Sequence, residues 1–519
     1  MNRSDMLANI ESTANWDFII IGGGATGLGV AIESSSRGYK TLLLEQSDFS
    51  KGTSSRSTKL VHGGVRYLQQ GNISLVLEAL KERGILKRNA PHLVHDLPFV
   101  VPNYDWWEGP FYGIGMKLYD ALAGKEGFGS SKNLSKEETL NHLPTLETKG
   151  LRGGVVYYDG QFDDARLSIN MAETAYEQGA TLLNYMKVTS LIKDDEMICG
   201  VNAIDVESNK EFNLTSKVVI NATGVFTDSV RKMDDSNANN IIVSGQGIHI
   251  VLDKSFLPGN SAIMVPHTDD GRVIFAIPWH NKVLVGTTDT EVDEFLLEPI
   301  PLEEEIEFLL VHTARYLTKD PKRNDILSVF AGLRPLVKSG EDENTAAISR
   351  EHTLNVSRSG LVTIAGGKWT TYRKMAEDTI DQAMLLADLE LKETVTKTLS
   401  IHGYHNHADE FGDLEIYGSD AIAIQELLME DKSYTEILHP SFTTVVGEII
   451  WAVRNEMART VEDFISRRTR MLLLDAKASI DIAPKVAQII AKELKQDEKW
   501  IEEQIKEFEQ IASYYLVRE

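Results

Sequence analysis

The sequence predicts an α/β protein in three parts: a Rossmann-like part, a mixed-sheet part and an all-helical C-terminal part. Near the N-terminus, an apolar run, a glycine-rich turn, a helical pattern and a second apolar run follow one another, as in a nucleotide-binding βαβ unit. Runs of apolar residues such as 273–277 predict the strands of a second sheet. From Asp420 onward, apolar residues recur with the 3.6-residue period of helices.

The composition is that of an acidic globular protein. The 519 residues include 53 Lys and Arg against 77 Asp and Glu, a net charge of −24, and 42% of them are hydrophobic. Such a field repels phosphate backbones, so we expect no nucleic-acid partner. Cys199 is the single cysteine, which excludes an intramolecular disulfide and a cysteine-based metal site.

The first element is a buried strand at 17–21, which runs into a G-x-G-x-x-G turn through Gly22, Gly24 and Gly27. A second short strand ends on Glu45, 21 residues after Gly24. Glycines allow a tight turn and close approach to a pyrophosphate, and the following helix N-terminus attracts the anion. A carboxylate in the position of Glu45 accepts hydrogen bonds from ribose hydroxyls, which favours FAD or NAD over NADP. The alternative is a tight turn that binds no ligand.

Three later segments separate FAD from NAD. Small hydroxyl residues and paired glycines at 52–68 supply short donors beside a flat ring; the alternative is a serine-rich linker. A strand ends in Ala-Thr-Gly at 222–224, which is also compatible with an ordinary strand end. Another strand ends in Gly-Gly-Lys at 366–368, before a helix that Thr370 or Thr371 is placed to cap; the alternative is a routine glycine turn.

Together these segments resemble the FAD-dependent glycerol-3-phosphate dehydrogenases, which are D-amino-acid-oxidase-like flavoproteins. Further matching stretches are 277–279, 286–289, 332–336, 348–350 and 467–470. The resemblance covers nearly the whole chain. It implies an FAD domain of the glutathione-reductase type, and FAD held noncovalently because the usual attachment cysteine is missing.

Two positions depart from the family pattern. Gln246 stands where the family often has lysine, which removes one possible cation near the site, and Trp369 stands where we expect a smaller aliphatic residue.

The resemblance implies oxidation of sn-glycerol 3-phosphate to dihydroxyacetone phosphate, by hydride transfer from C2 to the flavin N5 and reoxidation by a membrane quinone. Clustered cations must hold the phosphate, and arginine does this best because its planar fork pairs bidentately with phosphate oxygens. The substrate-binding residues implied are Arg66, Tyr67, His249, Arg334, Arg350 and Lys368. The catalytic residues implied are His249, Arg334, Lys368, Arg66 and His62. Either His249 or His62 serves as the base, and the sequence leaves this choice open.

The implied cofactor-binding residues lie in the same motifs. They are Gly22, Gly23, Gly24, Thr26, Gly27, Glu45, Gln46, Thr53, Ser54, Ser55, Ser57, Lys59, Leu60, His62, Gly63, Gly64, Val188, Ala222, Thr223, Gly224, Gly366, Gly367, Lys368, Trp369, Thr370 and Thr371.

The domains are expected to be discontinuous. The FAD-binding domain takes 1–80, 152–243 and 352–388, the substrate and membrane-proximal domain takes 81–151 and 244–351, and the helical domain takes 389–519. The segment 399–410 reads as a linker. It contains His402, His405 and His407 but lacks acidic and cysteine partners at metal spacing, so no metal site is expected.

The stretch 106–119 is dense in aromatic and aliphatic residues, which favour lipid interfaces. The resemblance implies a cytoplasmic protein, peripheral on the inner face of the cell membrane, and a homodimer is possible. The alternative for 106–119 is that its rings pack the substrate domain. No apolar run is long enough to span a bilayer.

Three alternative functions stay open. One is a glycerol-3-phosphate oxidase, which passes electrons to oxygen and shares the motifs. Another is a hydroxy-acid or amine oxidoreductase of the same superfamily. The four cations Arg66, Arg334, Arg350 and Lys368 argue against it, because they favour a phosphate over a carboxylate. The third is a flavin-binding protein without catalysis.

Overall fold

The structure is a computed structural model and describes residues 1–64, 72–265, 268, 272–338 and 351–517. Its strands are β1 (Trp16–Ile21), β2 (Thr41–Leu44), β3 (Leu60–Val61), β4 (Val94–Asn103), β5 (Lys132–Ser135), β6 (Gly153–Phe162), β7 (Thr181–Leu183), β8 (Met186–Asp194), β9 (Met197–Asp205), β10 (Glu211–Asn221), β11 (Ile242–Asp253), β12 (Ala262–Val265), β13 (Ile274–Trp279), β14 (Lys282–Gly286), β15 (Thr290–Val292), β16 (Ile326–Val337), β17 (His352–Val356) and β18 (Val362–Gly366). Its α-helices are Arg3–Ser12, Ala25–Ser36, Ile73–Asn89, Glu108–Ala123, Lys136–His142, Asp164–Glu177, Thr227–Asp234, Glu303–Ala314, Tyr372–Leu386, Ala421–Glu430, Val446–Asn455, Met471–Leu474, Ala476–Leu494 and Glu498–Ala512.

The first sheet is centred on β1, which pairs in parallel with β2 on one side and β10 on the other. β7 and β18 extend the parallel part, and β17, β9 and β8 add antiparallel strands. Phe18, Ile19 and Ile20 of β1 are fully buried, as a continuous apolar run in a parallel sheet requires. The helix Ala25–Ser36 packs between the helices Asp164–Glu177 and Tyr372–Leu386. This layer confirms the Rossmann-like part of the predicted fold class.

The second sheet is mixed and has ten strands within the described residues, with β11 at the centre of its antiparallel part. β11 pairs with β14, β15 and β16, and β12 pairs in parallel with β4. β3 and β6 also belong to this sheet, because they pair with each other and β6 pairs along the whole of β4. β6 lies within 152–243, which the sequence assigns to the FAD-binding domain, and this division into domains stays a prediction.

The C-terminal part is helical, as predicted, but its helices are shorter than the sequence pattern indicates. The pattern at 461–474 predicts one helix; the structure has a π-helical turn, Asp463–Arg468, and a short helix, Met471–Leu474, separated by the left-handed Arg470 (φ 58°). The pattern at 480–516 is likewise two helices, broken at the left-handed Lys495 (φ 57°). Apolar periodicity continues across both breaks because both sides pack on the same core.

Candidate active site

A cavity of about 400 Å³ opens at the carboxyl ends of the parallel strands of the first sheet. Ile21, Leu44 and Asn221 are register partners, so β1, β2 and β10 reach this edge together. Ligands of open α/β sheets bind at this edge. The glycine turn, the Ala-Thr-Gly segment and the Gly-Gly-Lys segment all line the cavity, so the structure brings together three motifs that are far apart in the chain.

The glycine turn is shaped by close backbone approaches. A Cβ atom on Gly22, whose φ is +109°, would lie 2.6 Å from the carbonyl oxygen of Ala222. A Cβ atom on Gly27 would lie 1.8 Å from the carbonyl oxygen of Gly22. The helix then begins at Ala25 without a side-chain cap from Gly24, and the Ala25 N–H donates to the Ser54 hydroxyl (2.9 Å). Gly24, Ala25 and Thr26 all line the cavity, so the N-terminus of the helix lies at its edge. This arrangement fits a diphosphate.

Glu45 lies on the same wall, where one carboxylate oxygen accepts a hydrogen bond from the Gly23 N–H (2.7 Å) and the other from the Ser47 N–H (2.9 Å). These bonds fix the side chain beside the turn. The carboxylate therefore stands where the sequence predicts a ribose contact, one residue from Gln46, which also lines the cavity.

The opposite wall is the turn that follows β18. Gly366 and Gly367 both have positive φ (75° and 76°), which glycine adopts readily. The indole N–H of Trp369 donates to the carbonyl oxygen of Ser54 (2.8 Å), so this turn is tied to the serine-rich segment. Thr371 does not cap the following helix as predicted, because its hydroxyl donates to the carbonyl oxygen of Lys368.

The loop after Glu45 is anchored from the C-terminal part of the chain. Asp48 is fully buried and binds Arg467 (2.5 Å) and Arg468 (2.6 Å) of the π-helical turn. Burial alone would raise the pKa of Asp48, but the two guanidinium groups lower it to about 2. Lys51, which lines the cavity, pairs with Glu462 (2.5 Å).

A second candidate region is one face of the sheet formed by β11 and β16. Their register pairs Gly245 with Arg334 and His249 with Phe330, so these side chains share a face. Gly247 leaves the space that Arg334 occupies, because a Cβ there would lie 2.3 Å from a guanidinium nitrogen. Pro335, the next residue of β16, lines the cofactor cavity. Pro335 points to the opposite face from Arg334, so the link between this face and the cavity is the segment 53–58. Thr53 lines the cavity and donates to the Leu333 carbonyl (2.6 Å), and the Thr58 hydroxyl lies 2.9 Å from His249 Nε2.

Arg334 is held across the strand ends. Its guanidinium pairs with Asp289 (3.0 Å) and donates to the Thr288 carbonyl (2.9 Å) and the Thr287 hydroxyl (3.2 Å). Its side chain is 21% exposed, so the charge can be reached by a ligand.

His249 is buried on this face, and its ring stacks on Phe330 with 5.0 Å between centroids. Its Nε2 lies 2.9 Å from the Thr58 hydroxyl. Burial, together with the charges of Lys59 and Arg334, holds the pKa of His249 well below its usual range. The imidazole is therefore neutral at physiological pH and can accept a proton.

The segment 55–59 is fixed by a buried ion pair. Lys59 Nζ lies 2.7 and 2.8 Å from the two carboxylate oxygens of Asp164, and both side chains are fully buried. The backbone N–H and hydroxyl of Ser57 also donate to Asp164. The polar groups of Ser57 and Lys59 are thus held by Asp164, and neither residue lines the cavity; their contacts with the cofactor stay a prediction.

Apart from His249 and Arg334, which lie on the face of β11 and β16, the predicted site residues divide into three sets. Those that line the cavity are Gly22, Gly24, Thr26, Glu45, Gln46, Thr53, Ser54, Val188, Ala222, Thr223, Gly224, Gly366, Gly367, Lys368 and Trp369. Predicted cofactor residues that are described but do not line it are Gly23, Gly27, Ser55, Ser57, Lys59, Leu60, His62, Gly63, Gly64, Thr370 and Thr371. Several of these shape the neighbouring turns, as when the Gly63 N–H donates to the Tyr119 hydroxyl (2.8 Å). Arg66, Tyr67 and Arg350 lie outside the described residues.

Gln246 lies on the other face of β11 from His249, where its amide donates to Glu305 (2.9 Å) and to the Ile300 carbonyl (3.0 Å). The expectation that this glutamine removes a cation from the site is wrong, because alternate residues of a strand point to opposite faces.

Other lining residues were missed by the sequence reasoning: Lys51, Phe226, Leu297, Pro335 and Met375. Met375 follows Thr371 by one helical turn, a spacing that places it on the same helix face. Leu297 lies in a segment without a motif and gives no sequence signal.

Two families match the chain. The family described as "FAD dependent oxidoreductase" matches residues 17–373, and the family described as "C-terminal domain of alpha-glycerophosphate oxidase" matches residues 362–501. Over 99% of its length the chain is 41% identical to the mitochondrial glycerol-3-phosphate dehydrogenase of Macaca fascicularis, and it covers 75% of that protein. It is 36% identical to the Schizosaccharomyces pombe enzyme over 96% of its length, covering 87% of that protein.

Solved structures agree with these matches. The glycerol-3-phosphate dehydrogenase from Bacillus halodurans, complexed with FAD, is 29% identical with a TM-score of 0.81, over 99% of this chain and 98% of that one. The L-alpha-glycerophosphate oxidase from Mycoplasma pneumoniae, with FAD bound, is 18% identical with a TM-score of 0.58, over 75% of this chain and 99% of that one; this likeness concerns the fold alone. The glycine turn, Glu45 and the two-walled cavity fit the cofactor of these proteins, FAD. The chain belongs to the FAD-dependent glycerol-3-phosphate dehydrogenase family.

Proposed function

We propose that this enzyme oxidises sn-glycerol 3-phosphate to dihydroxyacetone phosphate. The observation that carries the proposal is the position of Arg334 and His249 on one face of the sheet, next to the wall of the FAD cavity. Their arrangement supplies a cation for a phosphate and a neutral imidazole for a hydroxyl proton. The relatives that share the fold over the whole chain carry the same activity in their names.

We assign Arg334 to the substrate phosphate. A guanidinium fork pairs bidentately with phosphate oxygens, and the pairing is stronger in a partly buried site. Asp289 and the Thr288 carbonyl orient the fork, which limits the entropy lost when substrate binds. The family resemblance adds Arg66, Tyr67, Arg350 and Lys368 to this assignment, and of these Lys368 lies on the cavity wall.

We assign His249 as the base that accepts the C2 hydroxyl proton at Nε2, where the substrate hydroxyl would take the place of the Thr58 hydroxyl. Bound FAD would supply the acceptor for the hydride that leaves C2. The low pKa keeps His249 neutral in the resting enzyme, and the Thr58 hydroxyl at 2.9 Å fixes the ring direction. His62 is the second candidate, and its backbone N–H donates to the Thr370 hydroxyl (3.3 Å), beside the Gly-Gly-Lys wall.

Anaerobic mixing tests the substrate assignment. Addition of sn-glycerol 3-phosphate to the FAD-loaded enzyme without oxygen or quinone is expected to bleach the flavin absorbance. Glycerol, which lacks the phosphate, and glycine or lactate, which test the amine and hydroxy-acid alternatives, are expected to leave it unchanged. A flavin that stays oxidised with glycerol 3-phosphate would overturn the proposal and support the non-catalytic alternative.

We further propose a membrane quinone as electron acceptor, reached through an apolar face of the helix Glu108–Ala123. Phe111, Ile114 and Leu118 follow one another at helical spacing and are 52%, 73% and 48% exposed. Trp106, just before the helix, is 76% exposed. The exposure of these side chains supports a lipid-facing role, whereas the opposite face of the helix, with Tyr112, Met116 and Tyr119, is buried in the protein. Rings and aliphatic groups at this density favour a lipid interface.

Co-sedimentation with anionic vesicles tests this face. Because the protein carries a charge of −24, we expect apolar docking that changes little with salt. Phe111→Glu with Ile114→Glu should abolish it, while Val311→Glu, at an exposed position of another helix (49%), should not. Equal binding by both variants would contradict the assignment. Among the described residues, no helix is long and apolar enough to cross a membrane.

The peroxide yield per turnover separates quinone from oxygen as acceptor. A dehydrogenase should produce little peroxide and should accelerate with a soluble quinone analogue. One peroxide per substrate, unchanged by the analogue, would favour the oxidase.

A further inference from the structure

A cluster of three carboxylates around one histidine lies outside the FAD cavity. Glu173 and Glu177 belong to the helix Asp164–Glu177, and Asp420 immediately precedes the helix Ala421–Glu430. His402 lies between them: its Nδ1 is 2.6 Å from a Glu177 oxygen, and its Nε2 is 2.8 Å from Asp420 Oδ2 and 3.6 Å from Glu173 Oε2.

The hydrogen bonds of this cluster do not balance. His402 can donate one proton from each ring nitrogen, so its Nε2–H serves one carboxylate and not two. Asp420 is the closer acceptor. Glu173 is 4% exposed, and its Oε2 has no hydrogen-bond donor among the described residues, although it is directed at the same ring nitrogen. A buried carboxylate oxygen without a donor is costly.

The charges do not balance either. Glu173, Glu177 and Asp420 share His402, and the next cation, Arg166, stands 3.8 Å from Glu173 Oε2. Arg166 makes its closer ion pair, at 2.8 Å, with Glu456. The cluster therefore retains negative charge even when His402 is protonated.

We propose that Glu173, His402 and Asp420 bind a divalent cation of the zinc type. The three ligand atoms lie within 4.8 Å of one another. Ligand atoms of a tetrahedral zinc site are about 3.3 Å apart, and the separations of His402 Nε2 from the two carboxylates, 2.8 and 3.6 Å, bracket this value. The cation would satisfy both carboxylates, which one proton cannot.

The neighbouring groups suit such a site. The metal takes the place of the Nε2 proton, while Nδ1–H continues to donate to Glu177. A carboxylate commonly accepts this hydrogen bond behind a histidine ligand. The side chains of His402 and Asp420 are 20% and 19% exposed, which leaves a position for water. An imidazole with carboxylates is a ligand set that zinc accepts.

The sequence predicts no metal site because the segment around His402 lacks acidic and cysteine residues at metal-ligand spacing. The proposed acidic ligands come from helix Asp164–Glu177 and from Asp420, and His405 and His407 are not part of the cluster. The bound ion would fasten the segment that precedes the helix Ala421–Glu430 to the helix whose first residue, Asp164, holds Lys59. Because binding favours the folded chain, the ion should raise its stability. The inference goes beyond the proposed oxidation and does not depend on it.

Calorimetric titration tests the site. The FAD-loaded enzyme is dialysed against a chelator and then titrated with Zn²⁺, and we expect one ion per chain and a higher Tm. Asp420→Asn and His402→Gln should weaken binding at least 10-fold, and Glu177→Gln about 10- to 100-fold. His407→Ala, at an exposed neighbouring histidine, should bind as the wild type does.

A spectroscopic measurement on the unaltered chain covers the case in which a variant does not fold. Co²⁺ in place of Zn²⁺ should give ligand-field bands of tetrahedral intensity at wavelengths beyond the flavin absorption. Absence of saturable Co²⁺ and Zn²⁺ binding would overturn the proposal, as would equal Zn²⁺ affinity in folded Asp420→Asn and wild type. The cluster would then be an ion-pair hub around a protonated His402.

Discussion

The FAD cavity and the face of β11 and β16 are built from different parts of the residues. The cavity is shaped by backbone: glycine turns, the first N–H groups of a helix and strand ends. The face depends on individual side chains, Arg334 and His249, which project from strands and are held by their neighbours. The difference predicts opposite sensitivities. Adding atoms should damage the first region, and removing functional groups should damage the second.

The largest expected effect follows from adding atoms at the glycine turn. Gly27→Val places a Cβ where 1.8 Å separates it from the Gly22 carbonyl oxygen, so the turn cannot keep its shape. We expect the purified variant to retain no FAD, measured as the flavin-to-protein absorbance ratio after gel filtration. Gly115→Ala is the control, because a Cβ there meets no atom within 4 Å. Normal FAD content in Gly27→Val would show that the turn does not shape the cofactor site.

This contrast also explains what the sequence could predict. A strand, a glycine turn and a helix are contiguous, so residues 16–45 identify β1, the cavity edge and Glu45 from local pattern alone. Leu297 and the partners of His402 reach their places through tertiary packing, which no local pattern records. The lengths of the C-terminal helices were overestimated because apolar periodicity indicates only which side of a segment is buried. It does not detect a break at a single left-handed residue such as Arg470 or Lys495.

The next effect concerns removal of one functional group on the sheet face. His249→Gln keeps a polar side chain but removes the base, and positioned bases contribute about 10²- to 10⁴-fold in rate. We expect the rate constant of flavin reduction, measured by stopped flow, to fall by that amount, with the FAD content unchanged. His62→Gln serves as the comparison. If it falls further than His249→Gln, His62 is the base.

A smaller effect is expected when the cation assigned to the substrate phosphate, Arg334, is removed. A hydrogen bond to a charged group contributes about 1.5–3 kcal/mol, so Arg334→Gln should raise the KM for glycerol 3-phosphate about 10- to 100-fold. Steady-state kinetics with a quinone analogue measure it. Arg454→Gln, an arginine whose side chain is 46% exposed and pairs with Glu493, should leave the KM unchanged. A KM within twofold of wild type in Arg334→Gln would remove Arg334 from the phosphate site.

The smallest effect should come from removal of one hydrogen-bond donor, the Trp369 indole N–H, which connects the two walls of the cavity. Trp369→Phe deletes the 2.8 Å hydrogen bond to the Ser54 carbonyl but keeps most of the ring volume. A net contribution of about 1 kcal/mol predicts roughly fivefold weaker FAD binding, measured by fluorescence titration of the apoprotein. Trp106→Phe, far more exposed, is the matched control. Equal affinities for the two variants would show that backbone alone holds the walls together.

Asp48 has a consequence for the order in which the protein is made. The glycine turn emerges from the ribosome with the first residues of the chain, whereas Arg467 and Arg468, which neutralise Asp48 beside it, are synthesised more than 400 residues later. Until then Asp48 has neither of these two guanidinium groups, and the loop after Glu45 lacks this anchor. The cofactor site is thus begun by the first part of the chain and completed by the last, so a nascent chain that stops short of these arginines cannot assemble it fully.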